Sequence, residues 1–175
     1  MKPRLLILSD LYGGDNQEWI QQYIDLLKIK FEIRYYDVLK LAEIDSANFS
    51  ESYIHAQFLN GGIDKAVETL LNLEKGKVLV LGFSIGGTIA WKAALKGLEV
   101  SNLFAVSSTR LRYETESPNC ELKLYFGEKD SNKPHSQWYL DLNLNHEIIK
   151  DDNHQLYLMK NNVSLICSDI LKSLL

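Results

Sequence analysis

The chain has 175 residues, of which 46% are hydrophobic and 24% charged, with 10 glycines and 3 prolines. That length suits one domain with a real core and is short for two, and the composition excludes a disordered, fibrous or low-complexity chain. The formal net charge of −4, with no basic run, argues against a nucleic-acid-binding face, which draws its affinity from Lys and Arg on phosphates.

In chain order, Lys2-Pro-Arg4 ahead of Leu5-Leu-Ile-Leu8 has the outline of a secretory leader. A leader needs an apolar run of about 7 to 15 residues and a membrane span about 20. The run here is four residues long, so Arg4 to Ser9 reads as a buried first strand, no membrane span is expected, and the cytoplasm is the default compartment. Asp15-Asn-Gln-Glu18 has the D-x-x-E form of a capping box, opening a helix with Trp19, Ile20, Tyr23, Ile24 and Leu27 on one face. Phe31 to Tyr36 alternates like a strand near a sheet edge. Short helical pieces are expected at Val38 to Ile44 and Ser52 to Leu59, interrupted by Gly61-Gly62. A firmer helix follows, carrying Ile63, Ala66, Val67, Leu70 and Leu71 and closed by Gly76.

Lys77 to Leu81 reads as a central strand running straight into Gly82-Phe-Ser84-Ile-Gly86, and Ile85 to Leu95 as the helix beyond it, stopped at Gly97. Three further strands are expected at Asn102 to Val106, Glu121 to Phe126 and about Asn145 to Lys150. Pro134 fits the first turn of the helix between the last two. A final helix carries Leu156, Met159, Val163, Ile166, Ile170, Leu171 and Leu174. Alternating strands and helices predict an α/β fold of three layers, a mostly parallel sheet of about six strands between helices, with ligands outside the carboxyl ends of the strands.

A G-x-S-x-G on a strand-to-helix turn pushes its serine out above the sheet, which makes Ser84 the candidate nucleophile. By itself the pentapeptide arises by chance in about one chain in twenty of this size, so its flanks and later partners carry the weight. A serine hydroxyl needs a base, and the base needs a carboxylate to set its tautomer. Tyr125-Phe-Gly-Glu-Lys-Asp130 brings a carboxylate to the exit of the fifth strand, and Lys150-Asp-Asp-Asn-His154 brings a histidine to the turn after the sixth. Asp151 and Asp152 are rivals to Asp130 because they adjoin the histidine. His55, His135 and His146 read as structural or solvated.

In these motifs the chain resembles the α/β-hydrolase superfamily, over nearly its whole length, in the order Ser84, Asp130, His154 and in the turn Asp10-Leu-Tyr-Gly-Gly14 after the first strand. The resemblance implies an oxyanion hole made by the N–H of Ile85 and one N–H of that first turn. The usual His-Gly pair is absent there. Leu11 and Tyr12 are both candidates, and alignment on Gly13-Gly14 favours Tyr12. Ser107 to Asn119 leaves no room for a cap domain, so the resemblance is to small lidless members with a shallow, open pocket, one domain spanning 1–175. Arg110, Arg112 and Tyr113 follow the fourth strand where substrate approaches, and a guanidinium fork there could hold an anion; pairing with Glu114 and Glu116 is the commoner fate of such arginines.

The resulting expectation is a serine hydrolase of small or exposed esters or thioesters. Amide hydrolysis on the same machinery and a non-catalytic binder on the same fold are the alternatives. A flavodoxin-like nucleotide binder is excluded by the lack of a Gly-rich phosphate turn and by Asp10 and Asp15, which would repel phosphate. No metal or cofactor is expected: Cys120 and Cys167 have no metal-ligand spacing, and Cys167 reads as a buried small hydrophobe.

Overall fold

The computed structural model describes residues 2–15 and 17–175. Six strands, β1 (Arg4–Leu8), β2 (Glu32–Tyr36), β3 (Val78–Phe83), β4 (Val100–Val106), β5 (Glu121–Gly127) and β6 (His146–Ile149), form one sheet in the order β2-β1-β3-β4-β5-β6. Every pairing is parallel. Among the described residues, seven α-helices connect or flank them: α1 (Glu18–Leu27), α2 (Val38–Leu41), α3 (Glu51–Gln57), α4 (Ile63–Leu73), α5 (Ile85–Leu95), α6 (Ser136–Asp141) and α7 (Lys160–Lys172).

The pleat of β1 shows how the strands divide the core. Leu6 and Leu8 point to one face, with Val80 of β3, Ala105 of β4 and Phe126 of β5, and are covered by α2 through α6. Leu5 and Ile7 point to the other, with Leu81, Val106 and Tyr125, and are covered by α1 and α7. Alternate residues of a strand face opposite sides, so strands apolar at every position demand helices on both. β3 is buried at all of its positions and takes the centre, whereas β2, with its charged alternation, takes an edge.

Several local expectations are corrected. Helix α1 begins at Glu18 with Gln17 as its N-cap and no side-chain cap bond; Asp15 pairs with Lys40 instead, and Asn16, the second residue of the expected capping box, lies outside the described residues. Pro134 precedes the His135 N-cap of α6 and so stands outside the first turn. The final helix breaks. Leu156–Leu158 forms a 3₁₀ turn, Met159 is extended and 54% exposed, and α7 starts at Lys160. The α3–α4 region is one helical path kinked where Asn60 and Gly61 leave helical geometry.

The contact that positions the site is the close approach of α5 to the end of β1. A Cβ on Gly86 would stand 2.3 Å from the Ser9 carbonyl oxygen and 2.8 Å from that of Leu8, both backbone atoms of the sheet that cannot swing aside. Gly86→Ala should therefore lower the free energy of unfolding by about 1–3 kcal/mol, read as a reduced urea midpoint at unchanged slope; an unchanged midpoint would mean that the helix can back away freely.

Candidate active site

Ser84 is the residue between β3 and α5, with φ +50° and ψ −119°, a conformation that costs a non-glycine residue about 1–3 kcal/mol and persists only where its surroundings over-determine it. Its N–H donates to the Val106 carbonyl at 2.8 Å, which ties the turn to the end of β4. The hydroxyl lies 3.2 Å from Nε2 of His154, and Nδ1 of His154 lies 2.7 Å from Oδ2 of Asp130. An ionised carboxylate can only accept, so Nδ1 is the protonated nitrogen and Nε2 is left to accept from the serine hydroxyl. Three residues separated by up to 70 positions in the chain thus form one hydrogen-bonded line across the carboxyl ends of β3, β5 and β6.

The line depends on the turns after β5 and β6 being fastened together. Gly127 makes this possible: a Cβ there would meet the carbonyls of Asn153 and Asp152 at 2.4 and 2.5 Å. Above it the Lys129 N–H donates to the Asp152 carbonyl at 2.8 Å and the Asp151 N–H to Glu128 Oε2 at 2.9 Å. Asn162 of α7 donates to Asp152 Oδ2 at 2.7 Å. Both rival acids are accordingly engaged elsewhere, Asp152 with Asn162 and Asp151 with Lys129 at 3.2 Å.

Burial pushes the Asp130 carboxyl up, but the His154 hydrogen bond, the Asn132 N–H and the nearby His154 and Lys133 charges outweigh it and hold the group below its ordinary value. Asp10, 6% exposed in the same cleft, goes the other way. Its burial dominates over the Tyr157 hydroxyl at 3.0 Å, the Tyr12 N–H at 3.1 Å and the other favourable contacts, and its carboxyl is raised.

Asp10 also decides the geometry of the first turn. Its Oδ1 accepts the Tyr12 N–H, and its own carbonyl accepts the Gly13 N–H at 3.1 Å, a side-chain turn of the kind Asp readily makes. Of the two candidate donors in this turn, the Tyr12 N–H is thus already engaged by Asp10. Leu11 and Ile85 are the two whose N–H groups have no acceptor among the described residues; both line the cleft beside Ser84, and the packing of Gly86 on Ser9 brings their two turns together.

The cleft has a volume of about 970 Å³. His154 keeps 40% of its side chain exposed. Arg110 and Arg112 stand on the cleft wall, in the 3₁₀ turn Thr109–Tyr113, against the ring of Tyr113. Of the other histidines, His55 lines the cleft, His135 caps α6, and His146 stacks on Tyr139 with ring centroids 3.8 Å apart. Tyr157 and Thr88, which sequence reasoning passed over, also line the cleft. Tyr157 interrupts an aliphatic pattern with a hydroxyl, the one signal that marked it. Trp91 is fully buried and Trp138 donates to the Glu114 carbonyl at 2.8 Å, so both pack the core. Burial pushes the Cys167 thiol up to about 12, consistent with an inert core residue.

No protein-family model matches the chain, and no curated protein sequence matches it significantly. Solved structures do. A candidate hydrolase of the α/β superfamily from Xanthomonas campestris pv. campestris is 16% identical, with a TM-score of 0.73 over 98% of this chain and 99% of that one. Mouse α/β-hydrolase domain-containing protein 10 is 14% identical, with a TM-score of 0.69 over 100% and 92%. A structure from a study of carboxylesterases of the thaumarchaeon Nitrososphaera gargenis is 12% identical, with a TM-score of 0.68 over 97% and 90%. The fold is that of the α/β-hydrolase superfamily. At these identities the similarity speaks for the fold, and function rests on the site. Among the described residues, no helix is long and apolar enough to cross a membrane.

The opposite shifts of the two buried acids predict opposite pH dependences. A carboxyl lowered from 3.8, as Asp130 is, contributes stability above about pH 4 that is lost as pH falls through its folded value. A carboxyl raised from 3.8, as Asp10 is, costs nothing below about pH 4 and imposes its full cost once pH exceeds its folded value. Thermal melts should show Asp10→Asn gaining on the wild type as pH rises from about 4 to about 7, whereas the gap between Asp130→Asn and the wild type should stay constant over that range and close only as pH falls below about 4. A gap between Asp10→Asn and the wild type that is constant with pH would remove the charge cost assigned to Asp10.

Proposed function

We propose that the protein is a serine hydrolase of esters or thioesters. Ser84 is the nucleophile, His154 the base, Asp130 the acid that orients the base, and the N–H groups of Leu11 and Ile85 form the oxyanion hole. The observation that carries this reading is the unbroken line from the Ser84 hydroxyl through His154 to Asp130, at 3.2 and 2.7 Å, with the tautomer a base requires.

The chemistry follows from that line. Nε2 of His154 takes the hydroxyl proton as the Ser84 oxygen attacks the acyl carbon. The carbonyl electron pair moves onto oxygen, where the two N–H groups receive it. Asp130 holds the imidazolium that forms, and a donor aimed at the developing oxyanion contributes about 3 kcal/mol of transition-state stabilisation. As the tetrahedral centre collapses, His154 returns its proton to the leaving alcohol or thiol. Water, deprotonated by the same nitrogen, then attacks the acyl-enzyme and releases the acid. Carboxylesterase activity, named for the Nitrososphaera proteins, is a precedent on the same fold.

Between β4 and β5 the chain holds one short 3₁₀ turn, which supports a lidless site and small or exposed acyl groups. A single domain spanning 1–175 without a cap fits this reading. Amide bonds are open to the same machinery, and the ratio of ester to amide turnover separates the two.

A fluorophosphonate probe should label the protein once, as an added mass that disappears in Ser84→Ala. Hydrolysis of p-nitrophenyl acetate should fall by about 10⁴ in Asp130→Asn, in which the histidine loses its required tautomer. A well-folded protein that neither labels nor turns over the ester would make this a binding protein on a hydrolase fold.

A further inference from the structure

The cleft wall carries two guanidinium groups that the fold does not neutralise. Glu114, the expected partner of these arginines, pairs with Lys92 at 2.7 Å. Neither Arg110 nor Arg112 forms an ion pair among the described residues. Of the other ionisable groups of the cleft, Lys129 and Asp130 have charged or chargeable partners, while Glu51 and Asp10 accept from neutral donors only. Lys129 meets Asp151 at 3.2 Å, Asp130 meets His154 at 2.7 Å, Glu51 accepts the Tyr12 hydroxyl at 2.8 Å, and Asp10 accepts from Tyr157 and Tyr12.

The two cations also share one aromatic ring. The Arg112 guanidinium carbon lies 4.4 Å from the centroid of the Tyr113 ring and that of Arg110 lies 5.2 Å from the same centroid. Like charges gathered on one ring repel, and the ring quadrupole offsets that only in part. Arg112 is fastened: it donates to the carbonyls of Thr109 at 2.8 Å and Asn132 at 3.2 Å and to the Tyr113 hydroxyl at 2.8 Å. Arg110 has no acceptor among the described residues, so its planar fork of donors is intact, and the residue lines the cleft that Ser84 occupies.

A second, independent feature belongs to the same cleft. Thr88 lies in the first turn of α5, four residues after Ser84. It is 1% exposed, lines the cleft, and its hydroxyl has no partner among the described residues. A buried hydroxyl without a partner is costly, and a ligand oxygen would satisfy it.

We propose that Arg110, with Arg112 and Thr88, forms a subsite for an oxyanion carried by the substrate, a carboxylate or phosphate placed beyond the scissile ester. Arg110 grips the anion through two parallel hydrogen bonds, Arg112 adds fixed positive charge, and the anion relieves the repulsion between the two. The inference rests on the ester-hydrolase reading of Ser84 and adds the charge of the substrate to it.

The test separates binding from turnover. Ser84→Ala protein is titrated calorimetrically with monomethyl succinate, monomethyl glutarate and monomethyl adipate, with their neutral dimethyl esters, and with methyl phosphate. At least one charged probe should bind about tenfold or more tightly than the matching neutral diester, with an advantage that shrinks as salt rises. Adding Arg110→Met should abolish that advantage, and Arg110→Lys should restore only part of it, since an ammonium lacks the fork; far-ultraviolet circular dichroism verifies that each variant is folded. Tighter binding of methyl phosphate names a phosphoryl group, and tighter binding of a monomethyl diacid names a carboxylate. Equal binding of charged and neutral probes, or an advantage that survives Arg110→Met, overturns the proposal. Wild-type protein is assayed separately with p-nitrophenyl acetate and mono-p-nitrophenyl glutarate. Absence of both turnover and fluorophosphonate labelling overturns the hydrolase reading alone, and the calorimetry still decides the subsite.

Discussion

The backbone of Ser84 is held where serine does not ordinarily go, and the arrangement around it follows from that constraint. At φ +50° and ψ −119° the residue turns the chain abruptly from β3 into α5. The side chain is thereby lifted clear of the sheet and the Ile85 N–H is left without an intrahelical partner. The strain is sustained by packing on two sides: the Ser84 N–H is bonded to the end of β4, and the first turn of α5 is pressed against the carbonyls that end β1. The turn after β1 is therefore adjacent to the start of α5, and Leu11 comes to the same cleft as Ser84. Central strands buried on both faces provide the rigid frame, and the crevice at their carboxyl ends is where such a frame admits a ligand.

The two buried acids of the cleft illustrate how environment separates like groups. Asp130 and Asp10 both have little access to solvent, at 4% and 6% exposure, but Asp10 sits deeper in the protein, and one carboxyl is lowered while the other is raised. Asp130 faces His154 directly and has Lys133 nearby, so attraction outweighs desolvation. Asp10 receives neutral donors, a tyrosine hydroxyl and backbone N–H groups, and His154 acts on it only through its charge; desolvation prevails. An acid in that position serves as an acceptor that shapes the turn, withdrawing the Tyr12 N–H and leaving that of Leu11 open.

Much of this was legible in the chain. Runs apolar at every position, such as Val78 to Leu81, read as interior parallel strands, and the alternation of Glu32 to Tyr36 as a strand near an edge; both stand so in the sheet. The helix Ile85–Leu95 has the bounds expected of it. Ser84, Asp130 and His154 were singled out because each sits at a strand exit, and the structure brings them into one hydrogen-bonded line. The expectations that failed were decided by contacts distant in sequence. Asp15 pairs with Lys40 and leaves Gln17 to cap α1. Helical spacing from Leu156 onward concealed a break at Met159, because spacing reports which residues are buried and the 3₁₀ turn Leu156–Leu158 buries Leu156 as a helix would. Glu114, adjacent in sequence to the arginines, pairs with Lys92 of α5 instead.

The sequence by itself determined the alternating parallel architecture, the strained serine turn and the residue types available at the strand ends. These follow from periodicity, glycine placement and local turn chemistry, which act over a few residues. Only the tertiary structure decided which N–H groups remain open, which acid meets His154, and which arginines stay unpaired. Each of those outcomes is a competition among hydrogen-bonding and charged groups for partners. The partners are brought together by packing of the sheet and its helices, from positions as far apart as Asp10 and Tyr157.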